Sequence, residues 1–93
     1  MTARRVIIAG DVQQVGYRDW MVAQAQRLGV HGWVRNRARE RTVEALVSGE
    51  EAAVQALLSA CRRGPPKAMV ASITEEFADP PEEPGFHRLP TVR

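Results

Sequence analysis

The sequence predicts an α+β fold of the ferredoxin-like type, a split βαβ sandwich. Its order is strand–helix–strand–strand–helix–strand, with a short fifth strand near the C-terminal end. Three observations carry this reading. Two stretches place apolar residues at helical spacing, and five others have extended patterning. These stretches alternate so that two strand–helix–strand halves meet through a hairpin. Each helix has one apolar stripe, so both can cover the same face of an antiparallel or mixed sheet. Many unrelated functions use this architecture, so function has to come from a site.

Residues 1–4 lack an apolar pattern and are expected to fray. Arg5–Val12 holds the run Val6-Ile7-Ile8-Ala9, β-branched and nearly continuous, and reads as the first strand. Gly10 and Asp11 end it, and a loop reaches Arg18. The first helix runs from Asp19 to Leu28, with Met21, Ala25 and Leu28 on one face at i, i+4 and i+7. Gly29 occupies the position after a helix end where a left-handed residue is wanted. His31–Asn36 is the second strand, in which Gly32, Val34 and Asn36 share a side. Thr42–Ser48 is the third, with Val43, Ala45 and Val47 alternating with Glu44, Leu46 and Ser48. The tip between them, Arg37-Ala38-Arg39-Glu40-Arg41, has no Gly, Asn or Pro and so lacks tight-turn chemistry. Glu51–Arg62 is the second helix, striped by Val54, Leu57, Leu58 and Cys61, and Gly64-Pro65-Pro66 stops it. Ala68–Glu76 is the fourth strand. An acidic, proline-rich loop, Ala78–Gly85, leads to the last strand, Phe86–Leu89. One domain spanning 1–93 is expected, without internal repeat.

Composition narrows the class. The chain has 93 residues, 44% hydrophobic and 26% charged, ordinary values for a globular domain. The formal charge is only +2, smaller than a nucleic-acid binder usually carries. Of its 13 cations all but Lys67 are Arg, the side chain suited to bidentate binding of oxyanions. Cys61 is the only cysteine, which rules out an intramolecular disulfide and fits a reducing cytoplasm. No apolar run approaches membrane-spanning length. His31, His87 and Cys61 have no metal-ligand spacing, so no metal is expected.

The stretch Gly10–Arg18 is the strongest functional signal. A short loop between a strand end and a helix start aims several main-chain N–H groups at one point, and the first helical turn adds partial positive charge. Arg18 brings a planar fork of donors to the same place. A cation is disfavoured at a helix start, so its presence points to an anion there. No Gly-Lys-Ser/Thr follows, which argues against a nucleoside triphosphate site. Asn36, closing Trp33-Val34-Arg35-Asn36, offers both a donor and an acceptor and suits the orientation of a neutral nucleophile such as water. His31 and His87 read as strand residues, Cys61 as a buried small hydrophobe, and Tyr17, Trp20 and Trp33 as packing residues. The Arg35, Arg37, Arg39, Arg41 series reads as a solvated strand end and tip that raises the local positive potential.

The segments Gly10-x-Val12-Gln13-x-Val15-Gly16-Tyr17-Arg18 and Ala25-x-x-Leu28-Gly29-x-x-Gly32-Trp33-Val34-Arg35-Asn36, followed by Val43-Glu44, Gly49, Gly64-Pro65 and Ala68-x-Val70, resemble the acylphosphatases over nearly the whole chain. The resemblance implies a ferredoxin-like fold and hydrolysis of acyl phosphates to carboxylate and phosphate, with no cofactor or metal. It implies that Arg18 binds the phosphate together with the N–H groups of Gln13, Gln14, Val15, Gly16, Tyr17 and Arg18, and that Asn36 holds the attacking water. It also implies a cytoplasmic monomer with a small-molecule substrate, bound to neither nucleic acid nor membrane. Three positions depart from the pattern. Gln14 stands where the family usually has Gly and is strained if that residue needs positive φ. Tyr17 replaces the commoner Phe. The hairpin tip is one residue longer and has no Gly. Two other readings remain at this level: a non-catalytic anion-binding module, and a single-strand RNA binder. The RNA binder requires aromatics on the central strands, and the first and fourth strands have none.

Overall fold

The computed structural model describes residues 1–93. Its elements are β1 (Thr2–Asp11), α1 (Tyr17–Leu28), β2 (His31–Arg37), β3 (Thr42–Gly49), α2 (Glu51–Arg63), β4 (Met69–Phe77) and β5 (Phe86–Arg88). All five strands form one sheet in the order β4-β1-β3-β2-β5. β1 runs antiparallel to β3 and β4, β2 runs antiparallel to β3, and β5 joins β2 in parallel. This is the ferredoxin-like arrangement expected from the sequence.

Residues opposite one another in an antiparallel pair point to the same face. Val6 faces Ala45 and Ile8 faces Val43, while Val34 faces Ala45 and Asn36 faces Val43. These residues therefore share the face that the helices cover. There Val6, Ile8, Val34, Val43, Ala45 and Val47 are fully enclosed by Met21 and Ala25 of α1 and by Val54, Leu57, Leu58 and Cys61 of α2. The same register places Asn36 on the helix side, at the end of β2 where α1 begins. α1 closes with Gly29 at φ 73°. The Gly29 and Val30 N–H groups there donate to the carbonyls of Gln26 and Ala25, the Schellman pattern.

Two expectations are corrected. Residues 2–4 do not fray: Thr2, Ala3 and Arg4 pair with Gly49, Ser48 and Val47 of β3, and Arg4 also faces Phe77 of β4. The Arg4 guanidinium lies 4.2 Å from the centre of the Phe77 ring. Long-range hydrogen bonds from two flanking strands replace the missing local pattern. Arg35 is likewise not a solvated strand end. Its Nε donates to Glu44 Oε1 at 2.7 Å, and Arg5 Nε donates to Glu44 Oε2 at 2.6 Å. Glu44 lies on the face without helices yet is 3% exposed. Burial pushes its carboxyl up, but the hydrogen bonds from Arg35 and Arg5 outweigh that and hold it below the usual carboxylate range.

The Gly-less tip closes by placing Arg41 at φ 56°, a left-handed conformation that an L side chain adopts at a cost of about 1–2 kcal/mol. Beyond β5 the chain continues along β2. Leu89 N–H donates to Val34 O, and Val92 N–H donates to Asn36 O. The C-terminal residues thus border the end of β2 that carries Asn36.

Candidate active site

The loop from β1 to α1 is fixed at both ends. The register of β1 against β4 shifts between Ala9 and Gly10. Gly10 has φ 130°, and a Cβ there would lie 2.3 Å from the Met69 carbonyl oxygen. Only glycine permits that approach. Val12, 1% exposed, anchors the loop in the core, and Val15 packs against the same cluster. Gln13 Nε2 donates to the carbonyls of Arg37 and Thr42, both at 3.0 Å, so the loop is tied to the last pair of the β2–β3 hairpin. Gln14 has φ 62°, the positive-φ geometry in which a family glycine would be unstrained. Gly16, at φ 77°, precedes the helix and accepts the Trp20 N–H at 3.0 Å.

Tyr17 and Arg18 belong to the first turn of α1 rather than to the loop. The Tyr17 hydroxyl donates to the Cys61 carbonyl of α2 at 2.6 Å, and its ring meets Trp20 edge-on at 5.3 Å. Burial first, and then the neighbouring Cys61, push the phenol far above its ordinary range. The hydroxyl is therefore a structural donor. It fastens the start of α1 to α2, a contact that Phe cannot make.

Helical bonding begins only at the Trp20 N–H. The main-chain N–H groups of Gln13 through Arg18 donate to no backbone or side-chain acceptor of the protein. This run of unpaired donors at a helix start favours a nearby anion. Beside it is a cleft of about 170 Å³ lined by Val12, Gln14, Gly16, Tyr17, Arg18, Asp19, Asn36 and Arg88. Drug-sized ligands need roughly 300–1,000 Å³, so this cleft suits a small anionic group.

The fold brings Arg18 and Asn36 to this one cleft from opposite elements, the start of α1 and the end of β2. Arg18 Nη1 donates to the Leu89 carbonyl at 3.1 Å, which leaves the rest of its fork free. Burial lowers its pKa, the Arg88 cation lowers it further, and Asp19 works the other way; at neutral pH it is a cation. Asn36 Oδ1 is buried and has no hydrogen-bond partner. A buried acceptor without a partner is costly, and it belongs to a residue that lines the cleft. Gln14, Gly16 and Tyr17 join these two residues, whereas Gln13 and Val15, both expected at the phosphate, do not line the cleft. Gln13, Gln14 and Arg41 line a second, larger polar cavity of about 410 Å³ on the other side of the loop. His31, whose Nδ1 accepts the Gly85 N–H, and His87 lie outside the cleft.

Sequence reasoning missed Arg88 and Asp19, which are joined by a 2.7 Å ion pair. The signal was alternation in β5: Phe86 and Arg88 share a face, and Phe86 is in the core.

Fold and cleft together define a small α+β protein with an arginine-lined cleft at the start of its first helix. The family model described as Acylphosphatase matches residues 4–88. The chain is 58% identical over 91 residues to an acylphosphatase of Acidiphilium cryptum, an alignment covering 98% of this chain and 99% of that one. It is 52% identical over 87 residues to an acylphosphatase of Rhodospirillum rubrum, covering 94% of each. Among solved structures, acylphosphatase from Bacillus subtilis superposes with a TM-score of 0.88 at 32% identity, over 96% of this chain and 99% of that one. The chain belongs to the acylphosphatase family, enzymes that hydrolyse acyl phosphates to a carboxylate and inorganic phosphate.

Proposed function

We propose that hydrolysis takes place in the cleft between the Gln13–Arg18 loop and Asn36, without a metal. The phosphoryl oxygens accept hydrogen bonds from the loop N–H groups and from the free part of the Arg18 fork. The Asn36 carboxamide holds the attacking water by a hydrogen bond and aims its lone pair at phosphorus. The new bond joins water oxygen to phosphorus, and the bond that breaks joins phosphorus to the acyl oxygen. The carboxylate leaves as an anion, and the water proton passes to a phosphoryl oxygen of the substrate. A carboxylate is stable at neutral pH, so its departure needs no general acid. Phosphoryl transfer of this kind asks for positioning and charge stabilisation rather than a side-chain nucleophile.

The observation that carries this reading is the meeting of Arg18 and Asn36, whose Oδ1 has no partner within the protein, at one cleft. The whole chain is expected to work as one monomeric cytoplasmic domain. Steady-state hydrolysis of benzoyl phosphate, with and without chelator, is the test. Wild-type turnover should be unaffected by chelator. Asn36→Ala should lower kcat on the order of 10²-fold with little change in KM, the scale of losing one positioned reactant. Chelator-abolished activity would refute the metal-free route. Undiminished kcat in Asn36→Ala would remove the residue from the mechanism. Saturable phosphate binding without any turnover would favour a non-catalytic module.

A further inference from the structure

The cleft holds a second guanidinium that the sequence motifs do not contain. Alternation along β5 sends Arg88 to the helix-covered face, the side of Phe86. The parallel register sets Arg88 beside Val34, two residues short of Asn36. Its side chain lines the cleft with Arg18 and Asn36. The adjoining residue, Leu89, supplies the carbonyl that holds Arg18. Two guanidiniums thus converge on one small cavity from separate elements, and their only acidic companion there is Asp19, whose side chain is 70% exposed.

We propose that Arg88 is a second phosphoryl-binding guanidinium of this enzyme, oriented by Asp19 and serving to select the dianionic form of the phosphoryl group. The inference rests on the placing of the phosphate at Arg18. Like charges brought together repel, and Arg88 does depress the pKa of Arg18, after burial. A dianion between them turns that repulsion into attraction on both sides, and a monoanion does so only in part. Had Arg88 been merely half of a surface ion pair, with side-chain exposures of 47% and 70%, its removal would be almost silent.

The test compares Arg88→Gln and Arg88→Lys with wild type in the full chain, using two substrates. Benzoyl phosphate presents a dianion, and its methyl phosphate ester presents a monoanion. Inorganic phosphate serves as the competing ligand. Arg88→Gln should weaken inhibition by phosphate and raise KM for benzoyl phosphate by about tenfold or more, the scale of losing a hydrogen bond to a charged group. The preference for dianion over monoanion should narrow by a similar factor. Arg88→Lys should recover part of both losses, because it restores the charge without the fork. An Arg88→Gln variant with wild-type phosphate inhibition and an unchanged dianion preference would overturn the proposal. So would an equal loss on both substrates accompanied by a lower unfolding midpoint, which marks a structural role. Failure of phosphate to inhibit the wild type would instead overturn the underlying placement at Arg18, and the two failures are distinguishable.

Discussion

Two arginine clusters lie on opposite faces of the sheet, and they differ in how their charge is balanced. On the open face, Arg5 and Arg35 close on Glu44, whose side chain is only 4% exposed; Arg5 also reaches Glu76 at 3.0 Å. Carboxylate and guanidiniums satisfy one another there. On the helix side, Arg18 and Arg88 share the cleft with the mostly exposed Asp19 and with main-chain donors that have no acceptor. The first cluster is complete within the protein, and the second is short of negative charge. That shortfall, rather than the number of arginines, separates a binding site from a structural one.

The contrast breaks first at Arg18. Arg18→Gln should lower kcat/KM for benzoyl phosphate by about 10²–10³-fold, the scale of removing one oxyanion donor, with unchanged circular dichroism. Near wild-type rates would show that the amides suffice. Glu44→Gln should do the reverse, leaving turnover within a few-fold and lowering stability by roughly 2 kcal/mol in urea unfolding. That is below the full cost of breaking a buried pair, because both arginines keep access to water. The pH dependence follows from the sign of the shift. The folded carboxyl lies below its ordinary value of 4.5, so its contribution is fully present above that value. It is lost as pH falls through the lower folded value. Wild type and Glu44→Gln should therefore converge in acid, and a gap that widens below pH 4 would contradict the assignment. Tyr17→Phe should cost about 1 kcal/mol, the worth of one buried hydrogen bond, with a smaller effect on rate. The smallest change is expected for Gln14→Gly. Relief of the positive φ is offset by the greater freedom of glycine in the unfolded chain, leaving a net change within about 1 kcal/mol. A larger loss of stability would show that the Gln14 side chain itself supports the loop.

What the sequence discloses follows from which forces are local. The stripe Val54, Leu57, Leu58, Cys61 and the alternation Val43, Ala45, Val47 arise from helix and strand periodicity, and the structure buries them as expected. Arg18 and Asn36, which the structure brings to one cleft, stood out through a resemblance spread over two specific motifs, with Gln14 as a marked departure whose positive φ the structure then displays. The burial of Glu44 was not legible. Alternation assigns it to the outer face and is silent on whether two arginines from neighbouring strands will cover it. Arg88 escaped for a related reason. Alternation with Phe86 gives its face, but a three-residue parallel strand has too short a pattern to announce its partner, and only the register against β2 sets it beside the cleft. The pairing of Thr2–Arg4 likewise depends on strands that are distant in sequence.

The lone cysteine gives the molecule a built-in reporter. Cys61 has no exposed surface, and burial pushes its thiol up to about 12, so at neutral pH almost no thiolate exists to react. Its own carbonyl holds the Tyr17 hydroxyl at the start of α1. A thiol reagent can therefore modify the chain only when α2 parts from the sheet. The labelling rate, measured with and without phosphate, would time the opening of this junction without introducing a second cysteine.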